Sequence, residues 1–423
     1  MKKLLEKIKK YDSEDLLKSG SVFFISSALV SILNYFYHLF MGRMLGPNDY
    51  GILGSLFAII YLATFFTQTF NKVISKYTAE FNSRQQNSYI KRLIKQGFIK
   101  ICLVGGIILI FYVSLSPLIA KFMKINNIFY IIFVGLIAYI FLINSILIGA
   151  LNGLQKFIKQ NISSLISVFL KFALAVFFVY LGIGIFGALG AIFIGLFAGM
   201  LSALYFLRDV FRNFKSEKFD SRKIYRYALP VFFSSLFPTL MITFDHILVK
   251  HFFSSVQTGF YSAAGMIAKI IWFGSGFFVL ALFPKIVDVV SKGRKASGLL
   301  IRCLIYTFFL VAVGLSAYFI MPKLIVMILY GKQYLSIIPL IGIFGAGMGL
   351  FSLSQVLITY NLAAEKYNFI WILFVSFAVE IAGIYLFHNS LIDVVKVFFG
   401  SNLIMFIGIL MINRKELGVN IAQ

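Results

Sequence analysis

The sequence predicts an all-α polytopic membrane protein with twelve transmembrane helices in two six-helix halves. Three observations carry that prediction. Of the 423 residues, 60% are apolar and only 13% charged, against roughly 25% charged in soluble domains. The apolar residues gather into runs, each near the roughly 20 residues a helix needs to cross hydrocarbon. The basic residues, finally, fall mostly into alternate loops between those runs.

Several classes drop out at once. The formal net charge of +24 would suit nucleic acid, but these charges lie between apolar runs rather than on a soluble face, so no nucleic-acid partner is expected. Cys102 and Cys303 lie inside apolar runs, where cysteine behaves as a small buried residue and not as part of a disulfide framework. The four histidines show no HxxxH or HExxH spacing, and no CxxC occurs. Neither a metal centre nor a cofactor is expected.

The elements follow in order. Residues 1–18, MKKLLEKIKKYDSEDLLK, read as a cytosolic amphipathic helix on the membrane surface. They are not a cleavable signal, because the next run has full membrane length and many more follow. The first lobe, 19–207, holds spans at about 20–42, 50–71, 97–120, 126–150, 160–182 and 185–207. No charge occurs from Phe172 to Leu207, and LGIGIFG at 181–187 supplies the turn dividing that stretch. A basic cytosolic linker, 208–226, leads to the second lobe, 227–413. Its spans are expected at about 227–250, 257–284, 299–321, 335–360, 367–387 and 391–413. A cytosolic tail, 414–423, closes the chain.

Of 39 lysines and arginines, 30 fall in one set of alternate loops and 7 in the other, with Lys171 and Lys269 inside spans. An odd number of spans would mix the two sets. The positive-inside rule then puts both termini in the cytosol, and anionic headgroups account for the basic loops. The external loops are too short for a soluble catalytic domain, and no acid/base cluster marks one interface. An enzyme is not expected.

The halves also look alike. Gly51 in NDYGIL corresponds to Gly259 in QTGFYS, SPLIAKFM (116–123) echoes MPKLIVMI (321–328), and Asn152 corresponds to Asn361, at offsets of 208, 205 and 209. Six spans is an even number, so both halves share one orientation about an axis along the membrane normal, with a substrate site near the midplane. After the first helix of the chain comes RMLGPNDYGILG (43–54). Gly46 and Pro47 supply a corner. Tyr50-Gly51 and Phe260-Tyr261 are expected as aromatic anchors at the outer headgroups.

Arg43, Leu45, Gly46, Pro47, Asp49, Tyr50 and Gly51 form R-x-L-G-P-x-D-Y-G. This resembles the hallmark of prokaryotic polysaccharide flippases of the multidrug/oligosaccharidyl-lipid/polysaccharide (MOP) exporter superfamily. Asp245 in TFDHILVKHF, the Gly259-x-Tyr261 pair and LYGKQY (329–334) resemble its second-half pattern. The resemblance implies a MATE-like, V-shaped pair of six-helix bundles. It further implies flipping of a polyprenyl-pyrophosphate-linked oligosaccharide by alternating access through a cationic central cavity. Lipid II flippases usually have fourteen helices, and no residues remain here for two more.

Ionisable groups at mid-depth cost roughly 2.5–3.5 kcal/mol each on insertion scales, so each is a functional candidate. Lys171, Lys269 and Glu380 sit near the middles of their spans, and Lys171 and Glu380 share the 209-residue repeat offset. One reading makes them structural charges. The other makes Lys171 and Lys269 ligands of an anionic headgroup, with Arg43, Lys72 and Lys76 at the span ends as further contacts. In that reading Glu380, with Asp245, serves ion coupling, to Na⁺ or H⁺. Near the outer boundary Lys250 is expected to snorkel toward water, and Asp245 to pair or cap. Polymerase and glycosyltransferases of the same pathway are the expected protein partners. The competing functions are an ion-coupled antiporter of drugs or metabolites, and a non-transporting or enzymatic membrane component of glycan assembly.

Overall fold

In hydrocarbon every backbone polar group has to be satisfied within its own segment, so apolar runs fold as helices and break only at glycine, proline and polar corners. The computed structural model follows that rule. It describes residues 2–213, 222–291, 296–364, 366–414 and 416, helical throughout with no strand among them. The expected amphipathic face of 1–18 lies outside the described side chains. Residues 214–221 of the linker and 417–423 of the tail lie outside the described residues.

The helices are α1 (Lys2–Leu62), α2 (Thr64–Ser83), α3 (Asn87–Phe122), α4 (Ile128–Gly153), α5 (Phe157–Tyr180), α6 (Gly184–Asn213) and α7 (Arg222–Met241). Then come α8 (Phe244–Phe252), α9 (Ser255–Ser291), α10 (Ser297–Ile320) and α11 (Pro322–Leu329). A 3-10 turn (Lys332–Ile337) leads to α12 (Ile338–Ala363), α13 (Phe369–Leu386) and α14 (Leu391–Ile412). Ten helical stretches among the described residues are long and apolar enough to cross a membrane. One of them, Ser26–Ser83, runs for 58 residues, more than twice what about 30 Å of hydrocarbon requires at about 1.5 Å per residue. It breaks at Gly46 and again at Ala63, so it accommodates the first two spans. α9 covers the eighth. Leu103, Ile107, Ile110 and Phe111 on α3 and Phe309 and Val313 on α10 are all more than half exposed, as lipid-facing side chains should be.

The chain groups into two compact units. The first comprises Met1–Met44, Ala63–Lys121 and Asn126–Val231. Its core joins α2, α3, α4 and α6 through Ile74, Tyr77, Ile94, Ile146, Leu147 and Leu207. The second comprises Leu45–Leu62, Phe122–Ile125 and Phe232–Gln423. There Leu300, Phe351, Val356, Phe369, Leu373 and Met405 form the core. Helix α5 packs on α6, α4 on α6 and α2 on α4; in the other unit α13 packs on α14, α12 on α14 and α9 on α12. The same pattern of neighbours thus occurs twice, about 208 residues apart.

Two departures from the sequence expectation matter. The span expected at 227–250 is broken at Ile242-Thr243 into α7 and α8. Thr243 Oγ1 donates to the Thr239 carbonyl (2.5 Å), and Asp245 begins the new helix. A carboxylate suits the positive end of a helix dipole, so the residues that end α7 also start α8. The aromatic anchors are the second departure. Tyr50 and Tyr261 are 1% and 0% exposed and do not reach headgroups. Tyr50 packs against Tyr330 and Tyr334 of LYGKQY, with its hydroxyl 3.2 Å from that of Tyr330.

Gly51 and Gly259 explain this burial. A Cβ on Gly51 would overlap the carbonyl oxygen of Ser255 and lie 2.6 Å from the Gly259 nitrogen, and one on Gly259 would overlap the carbonyl of Pro47. Pro47 and Ser255 stand at the same repeat offset as the two glycines. The contact is therefore reciprocal: repeat-equivalent glycines bring the helix 47–62 and α9 together backbone to backbone.

Candidate functional site

Helices α8 and α9 build a buried polar cluster in the second unit. Asp245, 2% exposed, has both carboxylate oxygens engaged. Oδ1 accepts from the His246 backbone N–H (2.8 Å) and from His246 Nδ1 (2.9 Å); Oδ2 accepts from the Tyr261 hydroxyl (2.7 Å). Because a carboxylate only accepts, His246 carries its proton on Nδ1.

Tyr261, Gly265 and Lys269 follow one another at one-turn spacing on a face of α9. A Cβ on Gly265 would lie 3.1 Å from the Phe344 ring and at ordinary contact distance, 3.6 Å, from His246 Cε1, so glycine there gives the Phe344 ring its room. Lys269 is 8% exposed. Its Nζ lies 5.9 Å from the centre of the Tyr61 ring, and its charge acts on Asp245. It makes no hydrogen bond or ion pair with any described residue. An ammonium has three donors, and none of them is used by a described residue.

Glu380 lies on α13, which packs against both α8 and α14, and its carboxyl also interacts electrostatically with Asp245. It is 2% exposed. Oε2 accepts from Ser401 Oγ (3.3 Å), whereas Oε1 has no partner. Ser376 Oγ, one turn earlier on α13, and Asn402 Oδ1, beside Ser401 on α14, are also buried without partners. Buried oxygens left unpaired cost about 1–3 kcal/mol each. Among the described residues no group of three or more His, Cys, Asp or Glu is placed to hold a metal ion.

Residues 16–290 match the family described as "Polysaccharide biosynthesis protein". The chain belongs to that family. An uncharacterized membrane protein of Methanocaldococcus jannaschii is 25% identical over 316 residues, covering 70% of this chain and 74% of that one. Among solved structures, an inward-facing multidrug resistance MATE family transporter of the MOP superfamily matches with a TM-score of 0.76 at 14% identity, over 92% of this chain and 96% of the other. The lipid II flippase MurJ in an inward closed conformation matches with 0.73 at 14% identity, over 93% and 88%. The fold of this polysaccharide biosynthesis family member is therefore the MOP transporter fold.

The sequence-expected residues do not form one constellation. Asp245, Lys269 and Glu380 come together in the second unit. Lys171 stands in the first, where its ammonium donates to Asn34 Oδ1 and lies 4.7 Å from the Tyr37 ring centre. Asn34 is held in turn by the Val30 carbonyl (2.9 Å), and Tyr37 by that of Ala188 (3.1 Å). Lys171 thus already has a polar partner, and Lys269 has none among the described residues. Arg43, Lys72 and Lys76 are exposed on the first unit.

Lys250 corrects the snorkelling expectation. It is 1% exposed and donates to Ser255 Oγ (2.7 Å), tying α8 to the start of α9. His246 and Ser401 were given no role from sequence, and Tyr261 was expected as a headgroup anchor rather than as a partner of Asp245. The only local signal for the first was its place beside Asp245.

Proposed function

We propose that the protein is a flippase that moves a polyprenyl-pyrophosphate-linked oligosaccharide across the cytoplasmic membrane by alternating access. The observation that carries this reading is Lys269, a buried ammonium on a helix expected to cross the membrane, with no hydrogen-bond or ion-pair partner among the described residues. A pyrophosphate supplies several anionic oxygens, which bind a point charge of this kind well. Within the first unit, Lys171, partly satisfied by Asn34, and Arg43, Lys72 and Lys76 are further candidate ligands of an anionic headgroup. Family membership supports a glycan cargo. An inside-negative potential favours outward movement of net negative charge by about 2.3 kcal/mol per charge per 100 mV.

Glu380 and Asp245 are assigned to coupling, with a small cation at the unpaired Glu380 Oε1. The coupling ion is Na⁺ or H⁺ in this reading. Both termini face the cytosol in this reading, and pathway glycosyltransferases and a polymerase supply the cargo and consume it.

The same buried acids, together with the likeness to a multidrug resistance transporter, favour a second reading as an ion-coupled antiporter. Proteoliposomes separate the two. Movement of a short-chain polyprenyl-pyrophosphate disaccharide to a leaflet accessible to added glycosidase should fall at least tenfold in Lys269→Ala. Export of organic cations that survives Lys269→Ala, with no glycan movement in the unaltered protein, would establish the antiporter instead.

A further inference from the structure

We propose that the turn between α4 and α5 in the first unit binds the phosphate of an anionic phospholipid through Lys156 and Lys159. The site is independent of the cargo and of the flippase reading.

The backbone sets the two lysines side by side. α4 ends on a left-handed residue, Gln155 (φ +57°), and the Lys156 N–H closes the turn on the Leu151 carbonyl (2.9 Å). α5 starts at the next residue, with no side-chain cap and no acid in its first turn. Residues three apart on a helix share a face, so Lys156 and Lys159 point the same way. Helix α6 lies backbone to backbone against α5. A Cβ on Gly195 would lie 2.4 Å from the Ser167 carbonyl oxygen, and one on Gly199 would lie 3.1 Å from that of Ser163. Continuing that antiparallel register, Lys159 Nζ lies 5.8 Å from the centre of the Phe206 ring, and Lys156 comes level with the last two turns of α6.

Both lysines are half-buried, and neither makes a hydrogen bond or ion pair with a described residue. The acid nearby, Asp209, stands 3.8 Å from Arg208 Nε. Partial burial and the charge of Lys159 hold Lys156 below the ordinary lysine value. An anion lying between the two ammoniums would relieve both effects.

The second unit shows the same turn with an anion in place. After α12 the Lys366 N–H closes on the Asn361 carbonyl (2.8 Å), as Lys156 does on Leu151. Lys366 Nζ then holds Glu416 Oε1 at 2.7 Å, a carboxylate from the chain beyond α14. No described carboxylate reaches Lys156 in this way. A phosphate oxygen makes the same charge-assisted contact. The surroundings select the source of that phosphate. Phe157, Ile158 and Tyr205 are 37%, 49% and 57% exposed. Apolar and aromatic side chains at a membrane boundary meet acyl chains, while ammoniums on apolar stems reach the headgroups. A phospholipid satisfies both parts, and a free phosphate only one.

Full-length protein in neutral detergent is titrated with phosphatidylglycerol or phosphatidylcholine, and bound lipids are counted by native mass spectrometry. One phosphatidylglycerol should bind ahead of all others and raise the unfolding midpoint; phosphatidylcholine should do neither. Lys156→Gln with Lys159→Gln should weaken that first site about tenfold or more, as expected when two lysines act on an anionic lipid, and keep the parent's lipid-free midpoint. Arg302→Gln with Arg414→Gln, which removes the same charge from the second unit, should leave the site intact. Glu416→Gln should release Lys366 and add a second tightly bound phosphatidylglycerol.

Equal binding of the two lipids would overturn the proposal, as would a first site that survives loss of both lysines or weakens equally in the arginine control. No added lipid in Glu416→Gln would remove the argument from the second unit and the proposal with it. Inorganic phosphate that displaces the lipid at equal concentration would assign the site to a soluble anion instead.

Discussion

Tyr261 contributes to the site through a single atom. Its hydroxyl is one of three donors holding Asp245, and hydrogen bonds to charged groups contribute about 1.5–3 kcal/mol. Tyr261→Phe should lower the thermal unfolding midpoint in detergent and leave pyrophosphate binding in place; an unchanged midpoint would mean the carboxylate is held without it. Lys171→Ala should reduce glycan flipping less than Lys269→Ala, because Asn34 already occupies part of its donor capacity. Equal losses in the flipping assay would place both lysines on the headgroup. Mid-span charges are visible in any hydropathy reading, so Lys171, Lys269 and Glu380 were legible. Their partners were not. Nothing local tells that Asp245 meets Tyr261 sixteen residues on, or that Glu380 meets Ser401, because these pairings arise from helix packing. Lys250 shows the converse error: long basic side chains near a boundary usually reach for water, but here a serine at the start of α9 takes the ammonium inward.

At the level of helices, the two motifs of the resemblance turn out to be one structure. Tyr50 of the first packs on Tyr330 and Tyr334 of the second, and Gly51 crosses Gly259 at backbone distance. Gly259→Ala should cost about 1–3 kcal/mol by overpacking, seen as a lower unfolding midpoint, because the atom it meets is a backbone carbonyl that cannot swing aside. Gly46 has φ +73°, where a side chain is strained. Gly46→Ala should destabilise by about 1 kcal/mol or more, and no loss in the same measurement would show that the corner relaxes. The Gly-Pro corner was readable because turn chemistry is local. The division of the seventh span into α7 and α8 was not, since Thr239 and Thr243 in an apolar run look like ordinary span residues until their hydroxyls are seen to bond the backbone.

For the chain as a whole, alternation of basic loops predicts that every even-numbered span ends in the cytosol. Single cysteines placed near each terminus in a Cys102→Ala, Cys303→Ala background should react with an impermeant maleimide in inverted vesicles and stay unlabelled in intact cells. Labelling of one terminus from each side would remove an even span count. Membrane class and span number were legible because hydropathy and charge record the solvent directly. The repeat was partly so, through three punctuated offsets, and the duplicated packing of α2, α4, α5 and α6 by α9, α12, α13 and α14 gives those offsets a physical basis.

One asymmetry between the repeats has a mechanical outcome. The first copy is interrupted at Ala63, while its counterpart α9 runs unbroken from Ser255 to Ser291. Gly259 and Lys269 therefore ride on one stiff rod, about 15 Å apart at about 1.5 Å per residue. With the glycine as fulcrum, a tilt of about 10° would sweep the lysine Cα through roughly 2–3 Å over that lever arm, enough to make or break an ionic contact while the pivot itself scarcely moves.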